Sequence, residues 1–236
     1  INTLSDHCIS LKEKSANSLQ ATNEYYTMWV HQIKTPISAM RLMLQSEDSE
    51  SNRRLSDELM KIEQYVDMAL CYVRLESSGN DLVIKYYSLD DIVKKSVRKF
   101  SPQFIGKKLS LDYKELDTDV LTDEKWLSFI IEQLLSNAIK YTAKGSVSIY
   151  MKPDTDRKIL CIADTGIGID PADLPRIFDN GYTGLNGRYD MKASGIGLYL
   201  CRCIADMLGI TLTAVSELGK GSVFMLDLTE SKIRHE

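Results

Sequence analysis

The sequence lacks a long apolar run and the excess of basic residues that is typical of nucleic-acid binders. No stretch approaches the 18 or so consecutive apolar residues of a membrane span, and no signal peptide opens the chain. Lys and Arg number 29 against 33 Asp and Glu, and the net charge is −4. Since 44% of the 236 residues are hydrophobic, the chain is predicted to fold as a soluble globular protein without nucleic acid as a partner.

Paired cysteines are also lacking. The five cysteines, at positions 8, 71, 161, 201 and 203, are an odd number and contain no CxxC. They lie in periodic apolar segments, which indicates a reducing cytosol. Cys201 and Cys203 form a CxC that could be half of a metal site, but no His/Cys pair follows at ligand spacing. We therefore expect these thiols to act as small apolar residues.

Apolar residues at helical spacing predict a helical hairpin over residues 1–80. The seam positions recur at steps of three and four over 1–44, weakly at Ser15, Ser18 and Thr22 and strongly from residue 30 onwards, which is typical of a helix that packs on another helix and continues to about residue 45. The polar run 46–52 breaks this helix, and a second stripe over 55–73 predicts a helix that ends near 77–80. A lone hairpin cannot bury both stripes, so two copies are expected to form a dimeric four-helix bundle.

From residue 81 to 236 the pattern changes to short β-type runs between helical stretches, which predicts a separate α/β domain. We expect its helices to cover one face of its sheet, giving a two-layer sandwich. The predicted strands are 81–86, 146–151, 159–163 and 222–228, and the predicted helices lie near 89–100, 123–141 and 194–208.

The first motif with chemical content is HQIKTP at 31–36, on the first helix of the hairpin. A lone helical His is ordinarily a surface or core residue. His31, however, lies beside the seam residues Val30 and Ile33, and Pro36 interrupts a strong helical pattern. A proline inside a helix lowers its stability by about 3 kcal/mol. Its presence here therefore indicates that a kink or a loosened turn near His31 serves the function of this segment.

A polar stripe follows on the helix predicted at 123–141. Gln133, Asn137, Lys140 and Tyr141 fall at i, i+4, i+7 and i+8, on the face opposite the apolar residues. Carboxamide oxygens suit a Mg²⁺ that already carries phosphates, and a lysine suits phosphate charge. A solvated amphipathic face is the alternative interpretation of this stripe.

Two glycine motifs complete the set: DTGIG at 164–168, directly after a β-run, and SGIGL at 194–198, which opens a helix. Paired glycines let the backbone approach a ligand, and glycines before a helix present free N–H groups to phosphate. A Walker-type loop is excluded because Gly219-Lys220 is followed by Gly221 rather than Ser or Thr. A Rossmann fingerprint is excluded because neither motif gives GxGxxG at the start of a βαβ unit.

In this order the motifs resemble those of the histidine kinases of bacterial two-component systems. Segment 31–36 resembles the H-box, 133–141 the N-box, 164–168 the G1 box and 194–198 the G2 box, while IFD at 177–179 and GKGS at 219–222 resemble the F-box and the last glycine box. The resemblance implies a dimerisation and phosphotransfer hairpin, 1–80, followed by a Bergerat (GHKL) ATP-binding domain, 81–236. Residues 1–20 would be a linker helix from the membrane.

The resemblance also implies roles for individual residues. Asn137 would hold Mg²⁺, Asp164 would accept a hydrogen bond from the adenine amino group of ATP, and Lys140 and Tyr141 would contact the nucleotide. The other positions expected to bind nucleotide are Gln133, Gly166, Gly168, Gly195, Gly197, Leu198 and, within an ATP lid at 180–194, Arg188.

On the hairpin, His31 would be the phosphorylated residue and Thr35 would serve dephosphorylation of the partner. Most family members carry Glu or Asp directly after the histidine, where it can take a proton from the ring, whereas this chain has Gln32. A glutamine can still fix the imidazole tautomer. The resemblance therefore implies ATP-dependent autophosphorylation of His31 and transfer of the phosphoryl group to an aspartate of a response regulator.

A finer likeness lies in WVHQIKTP at 29–36 and GYTGLNGR at 181–188. Both resemble the intramembrane-sensing kinases of Gram-positive bacteria that work with peptide-antibiotic ABC transporters. This likeness implies two membrane helices before residue 1, a position at the cytoplasmic face of the cell membrane, and a bacitracin-like peptide stimulus. Two alternatives remain: an ATP-driven conformational clamp, as in gyrase and mismatch-repair proteins, and a dimer scaffold whose nucleotide site has decayed.

Overall fold

The computed structural model describes residues 25–26, 28–30, 32–46, 49–76, 82–153, 155–184 and 194–230. The chain divides into two compact units, Ile1–Asp81 and Leu82–Glu236. Within the described ranges no helix combines the length and the apolarity needed to cross a membrane. The heptad pattern predicted before residue 25 lies outside the described residues.

The first unit contains two antiparallel helices. Helix α1 covers the described positions from 25 to 45, and α2 runs from Glu50 to Glu76. The predicted break at 46–52 is too long, because α2 already begins at Glu50, where Ser49 Oγ accepts the N–H of Asn52 at 3.1 Å. The described part of α2 ends at Glu76, and the predicted end near 77–80 lies outside the described residues. Lys34 pairs with Asp67 at 2.7 Å and Arg41 pairs with Glu63, so residues early in α1 lie opposite residues late in α2.

The apolar stripes of this hairpin are buried only in part. Val30 and Ile37 of α1 and Leu59 of α2 are buried, whereas Leu55 and Ile62 of α2 remain about half exposed, at 53% and 47%. Each heptad of α2 therefore has one buried apolar position and another that stays half exposed within the described hairpin.

The second unit is an α/β sandwich built around a five-stranded sheet. The described residues of this unit form seven strands: β1 (Lys85–Ser88), β2 (Ser110–Tyr113), β3 (Asp119–Thr122), β4 (Ser146–Met151), β5 (Ile159–Asp164), β6 (Thr211–Glu217) and β7 (Gly221–Asp227). The sheet order is β2-β4-β5-β7-β6, in which β2 is parallel to β4 and the other pairs are antiparallel, while β1 and β3 form a separate two-stranded ribbon.

The α-helices of this unit within the described residues are α3 (Leu89–Lys107), α4 (Glu124–Tyr141) and α5 (Gly197–Met207). Alternate residues of β4, β5 and β7 point to the helices, and α4 buries its apolar face. The fully buried residues include Leu127, Ile130, Leu134, Leu135, Ile149 and Leu160. The predicted two-layer α/β sandwich is confirmed.

Three elements of this unit differ from their predicted bounds by more than one residue. The strand predicted at 81–86 is found at Lys85–Ser88 because its partner β3 ends at Thr122, where the chain turns into α4. Helix α3 continues past Pro102 to Lys107, since Phe100 and Phe104 are buried on either side of the proline. The third predicted helix begins at Gly197 rather than 194, because Gly195 has a φ of +68° that a right-handed helix cannot include. Strands β2, β3 and β6 were not predicted.

Candidate nucleotide site

The polar stripe predicted on α4 is present on the less buried face of that helix. Gln133, Asn137 and Tyr141 are half-buried and Lys140 is exposed, while Leu134, Leu135, Ala138 and Ile139 are buried. Asp123 caps the first turn through Oδ1, which accepts the N–H groups of residues 125 and 126 at 2.9 and 3.2 Å. The amphipathic pattern thus fixes which face of α4 is left for a ligand.

The DTGIG loop leaves β5 and contacts the end of α4. The N–H of Ile167 donates to the carbonyl oxygen of Tyr141 at 3.2 Å. A Cβ on Gly166 would lie 2.4 Å from that same oxygen, so no larger residue fits between the loop and the helix. The structure therefore brings the predicted N-box and G1 segments together, with their backbones in contact.

The same loop also contacts the turn between β6 and β7. Gly168 has a φ of +69°, and a Cβ there would lie 2.1 Å from the carbonyl oxygen of Glu217. The N–H of Gly219 donates to the carbonyl oxygen of Ile167 at 2.7 Å, and the N–H of Ile169 donates to Ser216 Oγ at 2.8 Å. The glycines of the motif are therefore required by backbone contacts on both sides of the loop.

Asp164 is the acidic residue of this loop and is half-buried at the end of β5. Its Oδ1 accepts the N–H of Gly166 at 2.8 Å. Burial raises the pKa of the Asp164 carboxyl above its ordinary value, and hydrogen bonds from the N–H groups of Gly166 and Ser222 oppose that shift only in part. A group that donates a hydrogen bond to this carboxylate would favour its charged form.

The SGIGL segment lies at the start of α5, which packs against α4. Ile196 is the N-cap residue of α5 and makes no side-chain capping bond. The N–H groups of Gly197 and Leu198, in the first turn, therefore have no side-chain acceptor at the cap, and the positive end of the helix dipole is available to an anion. Gly195 joins this segment to Gly181, whose N–H donates to the Gly195 carbonyl oxygen at 3.2 Å.

Two of the predicted residues, His31 and Arg188, lie outside the described residues. Gln32 and Thr35 are exposed on α1. They belong to the first unit, and the nucleotide candidates belong to the second.

Sequence reasoning missed two polar groups that hold this site together. The Nζ of Lys107, at the end of α3, donates to the carbonyl oxygens of Ile139 and Lys140 in the last turn of α4. The hydroxyl of Tyr182 donates to the buried Asp173 at 2.5 Å, just after the F-box segment. Both pairs join residues with no shared motif, so periodicity carried no signal for either.

Comparison with known proteins identifies relatives along almost the whole chain. Residues 122–232 match the family described as Histidine kinase-, DNA gyrase B-, and HSP90-like ATPase. The sensor protein BceS of Halalkalibacterium halodurans is 36% identical over 220 residues, which cover 92% of this chain and 66% of the relative. BceS of Bacillus subtilis is 34% identical over 220 residues with the same coverage. The chain thus spans about two thirds of the length of these relatives.

Solved structures agree on the fold. Full-length ShkA in complex with AMPPNP aligns with 88% of this chain and 46% of its own, with a TM-score of 0.61 and 22% identity. The Acinetobacter baumannii histidine kinase AdeS aligns with 84% of this chain and 97% of its own, with a TM-score of 0.56 and 22% identity.

A relative that is matched over a larger share of its length decides the family. The sensor histidine kinase GraS of Staphylococcus haemolyticus is 36% identical over 232 residues, which cover 96% of this chain and 67% of the relative. Because this similarity runs through both units and includes the H-box, N-box and glycine segments, the chain belongs to the sensor histidine kinases, among relatives of the BceS and GraS type.

Proposed function

We propose that this protein is an ATP-dependent kinase that phosphorylates its own His31 and passes the phosphoryl group to an aspartate of a response regulator. The observation that carries the proposal is the contact between the Asp164 loop and the last turn of α4, together with the uncapped start of α5, a helix that packs against α4. Together these elements offer an acidic group, amide side chains and free backbone N–H groups, which are the groups that bind a purine nucleotide and its phosphates.

In this proposal the nucleotide base is recognised by Asp164. Its carboxylate accepts a hydrogen bond from the adenine amino group, while Gly166 allows the loop to lie against α4 without a side chain between them. Gly168 holds the far side of the loop on the β6–β7 turn. The aromatic ring of Tyr141 lies on the ligand-facing side of α4, where it contacts the nucleotide.

The phosphates are assigned to the start of α5. Its first-turn N–H groups, from Gly197 and Leu198, point away from the helix body and favour negative charge. Gly195 brings the backbone close to them. Lys140 adds a cation, and its Nζ lies 5.0 Å from the centre of the Tyr141 ring. Arg188 is proposed as a further phosphate contact.

The chemistry of Asn137 fits a magnesium ion. Its carboxamide is half-buried on the ligand-facing side of α4, and no other described residue hydrogen-bonds it. An amide oxygen is a suitable ligand for Mg²⁺, which usually keeps waters and takes the remaining ligands from phosphates. Gln133 lies one turn earlier on the same face. When bound, Mg²⁺ would neutralise charge that develops on the phosphates.

The proposed transfer uses neutral His31 as the nucleophile. Its Nε2 attacks the γ-phosphorus, the bond from that phosphorus to the bridging oxygen breaks, and ADP leaves with the electron pair. Gln32 holds the imidazole tautomer through its amide oxygen. Thr35 serves a separate reaction, dephosphorylation of the regulator, in which water takes the phosphoryl group from the aspartate. A response-regulator aspartate then takes the phosphoryl group and frees His31.

A homodimer is the proposed working form. The half-exposed positions of α2, Leu55 and Ile62, repeat at seven residues and have no cover within the described hairpin. Tyr65 lies on the same face as Ile62 and is 46% exposed. A second copy would bury this stripe in a four-helix bundle, as the sequence pattern predicts.

The relatives suggest the setting of this reaction. Since BceS and GraS are sensor proteins, we infer that the whole protein is anchored at the cytoplasmic face of the bacterial membrane by a segment before residue 1. The same likeness supports detection of antimicrobial peptides together with a peptide-antibiotic ABC transporter.

The decisive experiment is incubation with γ-labelled ATP followed by mapping of the labelled residue. We expect acid-labile, base-stable label on His31, no label in His31→Ala with nucleotide affinity unchanged, and strongly reduced label in Asn137→Asp with the dimer intact. ATP hydrolysis without any phosphohistidine would instead indicate a conformational clamp, and absence of nucleotide binding would indicate a scaffold with a decayed site.

A further inference from the structure

We propose that Lys107, the last residue of α3, is a positioning residue for the nucleotide site, because it holds the final turn of α4 in place. The inference rests on the proposed function, since it takes the end of α4 to be where nucleotide is contacted. Lys107 belongs to none of the motifs that indicated the site, and it lies 32 residues before the nearer of its two acceptors.

The end of α4 lacks the usual means of satisfying its last carbonyl groups. An α-helix leaves four C=O groups without partners, and a residue in the left-handed conformation commonly brings N–H groups back to them. Here the C-cap residue Thr142 is extended, with φ −102° and ψ 110°. Its N–H reaches the carbonyl of Ala138 at 3.1 Å, and the N–H of Ile167 reaches that of Tyr141 at 3.2 Å.

Lys107 supplies donors for the two carbonyls in between. Its Nζ lies 2.6 Å from the oxygen of Ile139 and 3.3 Å from that of Lys140. All four terminal carbonyls of α4 are thereby paired, and one ammonium group provides half of these pairings. Its positive charge also complements the negative end of the helix dipole.

The turn that Lys107 holds is the one that faces the proposed ligand. Lys140 and Tyr141 project from it, and the Tyr141 carbonyl is the contact on which the Asp164 loop is built. If two carbonyls lost their donor, water would satisfy them and the turn would be free to unwind. Unwinding would move both nucleotide contacts and the helix side of the loop, without removing any group that touches ligand.

The chain offers two matched controls. Lys99 of α3 also joins α3 to α4, through an ion pair with Glu132 at 2.5 Å, but on an earlier turn. Lys108 directly follows Lys107, carries the same charge and is exposed. Lys99→Met tests whether a general loosening of the contact between α3 and α4 is enough to weaken ATP binding. Lys108→Met tests whether the loss of one positive charge is enough.

The test measures ATP affinity by calorimetry, and KM and kcat of autophosphorylation, on the full chain. Lys107→Met is expected to weaken ATP binding about three- to tenfold and to raise KM equally, with kcat within about twofold of the unchanged protein. Lys99→Met and Lys108→Met should leave ATP affinity unchanged even if thermal stability falls. Lys107→Arg, which can donate to both carbonyls, should restore affinity.

Unchanged affinity in Lys107→Met would overturn the proposal, as would equal weakening in either control or in Lys107→Arg. If Lys107→Met does not fold, Lys107→Gln, whose shorter amide cannot reach both oxygens, carries the same expectations. Failure of the unchanged protein to bind ATP would refute the proposed function itself, so the two failures are distinguishable.

Discussion

Replacing Asp164 by asparagine should separate nucleotide binding from stability in this protein. The two side chains have nearly the same shape, but an amide offers one acceptor oxygen and no charge. The adenine amino group would lose a carboxylate acceptor, and hydrogen bonds to charged groups contribute about 1.5–3 kcal/mol. We therefore expect ATP affinity to fall about ten- to a hundredfold.

The free energy of unfolding should not fall with ATP affinity in Asp164→Asn, and it is expected to stay the same or to rise. Burial raises the pKa of Asp164, so folding favours its protonated form. The stability that this group contributes is complete below its unfolded pKa of about 3.9 and is lost as pH rises through the higher folded value. At pH 7 the charged carboxylate is therefore a cost in the nucleotide-free protein. Asp164→Asn should leave the melting temperature unchanged or raise it.

The same shift predicts a pH dependence of binding. ATP requires the carboxylate, so affinity of the unchanged protein should fall as the pH drops towards the raised pKa, whereas affinity of Asp164→Asn should not follow that titration. Calorimetry between about pH 5 and pH 8, with thermal unfolding of both proteins, tests each part. Unchanged ATP affinity in the variant would remove Asp164 from the site, and a lower melting temperature at pH 7 would refute the burial argument.

Gly166→Ala should cost about 1–3 kcal/mol of stability and abolish nucleotide binding, because its Cβ would meet the backbone of α4. Gly106→Ala, in open space on α3, should instead stabilise the protein by about 0.5–1 kcal/mol. Equal effects of the two changes in thermal unfolding would contradict this contrast. Asp123→Asn should keep the cap of α4 but lose the bond that Oδ2 accepts at 2.9 Å from the N–H of residue 83, at a cost of about 1 kcal/mol; hydrogen exchange should quicken at that N–H alone. Gln32→Glu should speed phosphohistidine formation by less than the 10²–10⁴-fold typical of general-base assistance, and should add a new pH dependence. Slower labelling of Gln32→Glu would show that the missing base never limited the reaction. Labelling of Gln32→Ala at the unchanged rate would show that the amide does not orient the imidazole. Ile62→Glu should shift the protein to monomer in sedimentation experiments, because it places a charge on the uncovered stripe of α2; an intact dimer would place the interface elsewhere.

The helices were predictable because their signal is local. Periodic apolar residues gave the break between α1 and α2 and the extent of α4 almost to the residue. Strands were harder. β4, with alternating burial and a central place in the sheet, was predicted with its correct bounds. The four-residue strands β2 and β3 were missed, since their conformation depends on partners that are distant in sequence.

The glycine motifs indicate close backbone contacts, but the sequence alone does not identify the segments that make those contacts. The residue order DTGIG indicated close backbone approach, but not which backbone would approach. The structure identifies the end of α4 on one side and the β6–β7 turn on the other. Both contacts join segments more than 20 residues apart in the chain, so no short-range pattern could specify them.

By itself the sequence determined the family, the hairpin, the two-layer domain and the face of α4 that carries Asn137, because each follows from a repeat or motif read along one segment. Only the tertiary structure decided how the last turn of α4 is held, by Lys107 and Ile167. Those contacts depend on where other segments bring a charge or an N–H group in space, since a helix leaves its terminal groups unpaired whatever its own sequence.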